Sequence, residues 1–107
     1  MKLFRQCDSG DRGWFVGQFE RAVLKTDACE VAYQINYQGE KHPAHYHKIA
    51  TELNLIVSGH VVMSGHHLRA GEGIIFYPGD ICECEYLEDT ATVVVKIPGP
   101  LNDKYLV

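Results

Sequence analysis

His45 and His47 are separated by one residue, so on a β-strand both imidazoles leave the same face, close enough to share one ion. Glu52 follows a short connection, Lys48–Thr51, and opens the next expected strand, which brings a carboxylate back alongside the two rings. Two nitrogens and one oxygen suit a divalent transition metal and leave coordination positions open. Manganese, iron(II), nickel and zinc all accept such a set, so the residues leave the identity of the ion open.

The elements that must position these groups read as strands. Glu30–Gln38 alternates, with Val31, Tyr33, Ile35 and Tyr37 on one face and Ala32, Gln34, Asn36 and Gln38 on the other, which predicts a half-exposed strand. In Glu52–Ser58, Leu53, Leu55 and Val57 form an apolar row, while Glu52, Asn54 and Ile56 share a face that a plain core strand would not enclose. Further strands are expected at His60–Ser64, Gly73–Tyr77, Ile81–Leu87 and Ala91–Ile97, between turns such as Ser58-Gly59, Ser64-Gly65 and Pro78-Gly79-Asp80. Turn signals every eight to twelve residues point to an all-β sandwich or barrel, and closing the barrel hides its strand edges. Phe19–Thr26 is expected to form a helical turn, and Pro98–Val107 to run as an extended arm.

Taken whole, Gly39-x5-His45-x-His47-x4-Glu52-x6-Gly59 resembles the first motif of the cupins at every defined position. The resemblance implies an antiparallel double-stranded β-helix, the cupin jelly-roll barrel, formed as one domain with its core over about residues 30–98. The second cupin motif has the form G-x5-P-x-G-x2-H-x3-N, and Gly71-Glu72-Gly73-Ile74-Ile75-Phe76-Tyr77-Pro78 resembles its opening. Counted from Pro78, the histidine place holds Glu83, the glycine place Asp80 and the asparagine place Leu87. The resemblance therefore makes Glu83 the expected fourth ligand, with Glu85 the alternative on the same strand face. With Glu83 inward, Cys82 and Cys84 face away from the cavity, and a slip of one residue reverses that assignment. Arg12 to Phe19 near the start, with Lys96-Ile97-Pro98 and Asp103-Lys104-Tyr105 near the end, are similar to small single-domain cupins of polysaccharide and sugar-nucleotide gene clusters.

Composition narrows the partners. The 107 residues carry ten Lys and Arg against fourteen Asp and Glu, a net charge of −4, with no basic run to track a phosphate backbone, so nucleic acid is not an expected partner. Neither a secretory leader nor a membrane-length apolar run is visible, and a cytoplasmic location without membrane contact is expected. Four cysteines without a C-x-x-C pair are expected to be reduced thiols. His42, His60, His66 and His67 are expected to meet solvent, and Tyr86 is a candidate for stacking on a ligand. Lys96 lies in an apolar strand and is expected to turn outward; turned inward it becomes an acid–base candidate.

Three functions fit. The first is a metal-dependent isomerase or epimerase acting on a sugar or small hydroxy-carbonyl compound, with Glu83 or Glu85 as the base. The second is a non-catalytic barrel that binds a carbohydrate or effector, and the third an iron(II) dioxygenase. Leu53, Leu55 and Val57 need a cover, which makes a homodimer the expected assembly.

Overall fold

The computed structural model describes residues 1–8, 10–100 and 102–107. Beyond a short 3-10 turn at Gln6–Asp8, its elements are strands: β1 Trp14–Val16, β2 Glu30–Asn36, β3 Lys41–His47, β4 Thr51–Ser58, β5 His60–Met63, β6 His66–Arg69, β7 Gly73–Phe76, β8 Cys82–Tyr86, β9 Thr90–Ile97 and β10 Lys104–Leu106. They form two five-stranded antiparallel sheets, ordered β1-β2-β9-β4-β7 and β10-β3-β8-β5-β6. This is the all-β jelly roll expected from the sequence. Among the described residues no helix is long and apolar enough to cross a membrane.

The alternating patterns become two faces, but with an inversion. On β4, Asn54 and Ile56 are buried while Leu53, Leu55 and Val57 are 39%, 41% and 45% exposed. On β2, Ala32 is fully buried and Ile35 is exposed, so the row with Gln34 and Asn36 points inward and the more apolar row outward. Polar residues tolerate the interior only where they find partners or a wet cavity. A cavity of about 1060 Å³ supplies that setting between the sheets, lined by Gln34, Asn36 and Asn54 among others.

An apolar cluster closes the rest of the interior: Ile56, Val61, Met63, Leu68 and Phe76 pack with Cys82, Cys84 and Tyr86. Burying each large aliphatic side chain there contributes about 1.5–3 kcal/mol. Gly59 links β4 to β5 at φ +97°, and a Cβ there would run into the Asp89 carbonyl oxygen.

Several expectations change. Phe19–Thr26 is not helical, because its backbone bonds run back to β1: Val23 N–H reaches the Phe15 carbonyl, and Gly17 N–H reaches Leu24. His66–Arg69, for which no strand is expected, forms the edge strand β6 beside β5. His60 is buried and hydrogen-bonds His67 at 2.8 Å, whereas His66 and His67 are exposed as expected. The C-terminal arm docks on its own chain: β10 pairs with β3, and Tyr105 stacks on Tyr46 with ring centroids 5.4 Å apart.

Candidate metal centre

β3 is where the sequence turns three histidines inward. Pro43 has no N–H to give to the sheet, and the register between β3 and β8 slips between His42 and His45. The bulge lets His42, three residues before His45, share the inner side with His45 and His47, and all three line the cavity. His42, expected to meet solvent, lines the cavity; a proline within a strand is the signal of the bulge.

His45 and His47 lie with ring centroids 5.6 Å apart and planes nearly perpendicular, at 86°. His45 Nδ1 is 3.0 Å from the Pro43 carbonyl and His47 Nδ1 is 3.0 Å from the Asp103 carbonyl. A carbonyl only accepts, so both Nδ1 atoms carry the proton and both Nε2 lone pairs are left for a ligand. Asp103 is itself anchored: its carboxylate accepts the backbone N–H groups of Lys48, Ile49 and Ala50 at 2.8–3.0 Å. Burial works to raise its pKa, but these three donors outweigh it and hold the carboxyl below the ordinary value. One residue from the C-terminal arm thus fixes both the β3–β4 connection and the His47 ring.

Glu52 lines the same cavity, its carboxylate 3.4 Å from the Asn54 amide. Its neighbour across the sheet is Lys96 on β9, whose other neighbour is Glu30 on β2. Lys96 therefore points inward, contrary to expectation, and its ammonium lies 2.7 Å from the Glu30 carboxylate. The cation stays inside because it is paired there.

Glu83 and Glu85 are not in the cavity. β8 alternates buried and exposed, with Cys82, Cys84 and Tyr86 inward and both glutamates on the outer face, Glu85 pairing Lys41 at 3.9 Å. Expectation had the parity reversed, because the count ran from Pro78. Counted from Gly71 and Gly79, both at glycine places of the motif, the histidine place is Cys82, the asparagine place Tyr86, and Tyr77 takes the proline place. Cys82 pairs in register with His45.

The donor chemistry of His45, His47 and Glu52 fits a divalent ion: two oriented imidazole nitrogens from one sheet and a carboxylate from the other line the same cavity. Among the described residues, however, no three His, Cys, Asp or Glu side chains already converge on one point. Other inward groups are shifted by their surroundings. Burial raises the Tyr86 phenol, and the neighbouring Cys84 side chain raises His42. The contact between the two thiols raises Cys82 and lowers Cys84.

No family model matches the chain, and no curated protein matches it. Solved structures do. An uncharacterized conserved protein with a double-stranded β-helix domain from Klebsiella pneumoniae superposes with a TM-score of 0.73 at 21% identity, over 99% of this chain and 91% of that one. The DMSP lyase DddQ from Ruegeria pomeroyi gives 0.68 at 20% identity, over 98% of this chain and 59% of that one. The oxalate decarboxylase of Bacillus subtilis, described with Mn(II) centres, gives 0.64 at 17% identity, over 77% of this chain and 25% of that one. At these identities the likeness establishes the fold, the double-stranded β-helix of the cupins.

Proposed function

We propose that this barrel is a divalent-metal-dependent enzyme that moves a proton between carbons of a sugar or small hydroxy-carbonyl compound. The observation that carries the reading is the inward row Glu30–Lys96–Glu52 across three adjacent strands, on the cavity that His45 and His47 also line. His45, His47 and Glu52 hold the ion, which when bound supplies a Lewis acid for the substrate carbonyl. Glu30 takes the place expected for Glu83 or Glu85: its carboxylate accepts the proton from carbon. Lys96 offers an ammonium hydrogen to the substrate oxygen that gains charge, and its bond to Glu30 keeps both groups inside. The Mn(II) centres of the oxalate decarboxylase, a protein of the same fold, support a resident ion.

The test is deuterium exchange. The protein, reconstituted in turn with manganese, iron(II), nickel and zinc, is incubated with aldoses, ketoses and hydroxy acids in D2O and followed by NMR. Deuterium should enter beside a carbonyl, and Glu30→Gln should slow this by about 100-fold or more while the ion stays bound. Exchange unaffected by Glu30→Gln would remove Glu30 as the base; no exchange with any ion would leave the second reading.

That second reading is a barrel that binds a carbohydrate or effector without turning it over. It is favoured by the lack, among the described residues, of three convergent ligand groups. Either way we propose a homodimer, covering the exposed row Leu53, Leu55 and Val57 and the neighbouring Ile75.

A further inference from the structure

β8 brings two thiols to the cavity. Cys82 and Cys84 are buried against the core yet line the cavity, and their Sγ atoms are 3.8 Å apart. His42 on β3 is the register partner of Cys84 on β8, and both side chains line the cavity. The imidazole is held from behind: its Nε2 is 3.3 Å from the Asn36 amide, which donates to Glu40 at 2.9 Å. The Glu40 carboxylate is itself 3.9 Å from that nitrogen. The chain thus places a base beside one thiol of a neighbouring pair, and a carboxylate behind the base. None of these residues belongs to the ligand set or to the proton transfer proposed above.

We propose that Cys84 and Cys82 are a redox-active dithiol that exchanges with small disulfides, with Cys84 as the attacking sulfur, Cys82 as the resolving one and His42 as the base. Spacing argues for a reversible bond. Residues two apart on one strand have Cα atoms roughly 6.6–6.8 Å apart. A disulfide spans about 4.4–6.8 Å, so this one closes at the limit of its reach. Bonds of that kind are labile and serve exchange, whereas structural bridges sit well inside the range.

The exchange balances. His42 takes the Cys84 proton, the thiolate attacks one sulfur of R–S–S–R, and that bond breaks to release R–S⁻, which receives the proton from His42. Cys82 then gives its proton to His42 and attacks Cys84 Sγ, releasing the second R–S⁻, which is protonated in turn. Two protein thiols become a disulfide and one small disulfide becomes two thiols. The neighbouring Cys82 side chain holds Cys84 toward its thiolate; burial opposes this and His42 supports it. Glu52 on β4, Lys104 on β10 and Tyr86 also act on these groups.

The test uses the full chain carrying Cys7→Ser and Cys29→Ser, in EDTA, with glutathione disulfide as the probe. Timed alkylation and peptide mass spectrometry read the state of Cys82 and Cys84. The folded chain should lose two hydrogens from this pair, and Cys82→Ser should instead trap one glutathione on Cys84. His42→Gln should slow the reaction roughly tenfold and move the midpoint of its pH profile up toward the ordinary thiol range near about 8.5. A folded chain that stays reduced while the urea-unfolded chain reacts would overturn the proposal. So would glutathione trapped on Cys82 in Cys84→Ser at the unsubstituted rate, or a pH profile that His42→Gln leaves in place. Because EDTA removes any ion, the outcome is independent of whether His45, His47 and Glu52 bind one.

Discussion

Separating Glu30 from Lys96 should cost stability in a way that reveals their coupling. The pair is 2.7 Å long, with side chains only 19% and 13% exposed, and it joins β2 to β9 in the middle of one sheet. An exposed pair would be worth at most about 1 kcal/mol, whereas removing one partner of a fully buried pair costs about 3–5 kcal/mol. Here the remaining exposure, and Glu52 on the far side of Lys96, discount the larger figure. Glu30→Gln should therefore destabilise by about 2 kcal/mol, Lys96→Met by about 2–3 kcal/mol, and the double variant by only about 1–2 kcal/mol, since it removes both charges of the pair together. Urea unfolding followed by the single tryptophan, Trp14, reads the difference. With a slope of about 1.5 kcal/mol per molar, each single variant should unfold at a urea concentration lower by about 1–2 M. Single effects that add to within about 0.5 kcal/mol in the double variant would refute the coupling and return Lys96 to the role of an outward-turning side chain.

Metal analysis by mass spectrometry should find about one ion per chain, lost in His45→Ala with His47→Ala. The same analysis should find affinity weakened about 10- to 100-fold in Asp103→Ala, which frees the connection that aims His47, and unchanged in Glu83→Gln, since Glu83 is on the outer face. Because the folded pKa of Asp103 is lowered, its contribution to stability is present above the ordinary carboxyl value and is lost as pH falls through the folded one; Asp103→Asn should therefore flatten the acid side of a stability profile. Light scattering at micromolar concentration should give a dimer mass, and Leu53→Lys with Leu55→Glu should return the monomer; an unsubstituted chain that is monomeric there rules out the proposed dimer.

The part of the site legible in the sequence was the part whose geometry is local. His45 and His47 share a face by strand periodicity alone, and Glu52 follows across one short connection. β8 was not legible, because Cys-Glu-Cys-Glu-Tyr alternates on either assignment and its parity is set at a distance, by pairing with a bulged β3. The usual tie-breaker, apolar inside and polar outside, gives the correct answer on β8, where the glutamates are outside, and the wrong one on β2 and β4, whose apolar rows face outward. Strands that wall a polar cavity invert the rule, while those that close the apolar end obey it. Lys96 shows the same limit: an inward lysine is credible only with its partner in view, and Glu30 is brought to it by the pairing of β2 with β9 across most of the chain. Errors of inside and outside therefore collect around the cavity, where buried polar groups are kept by partners that periodicity cannot name.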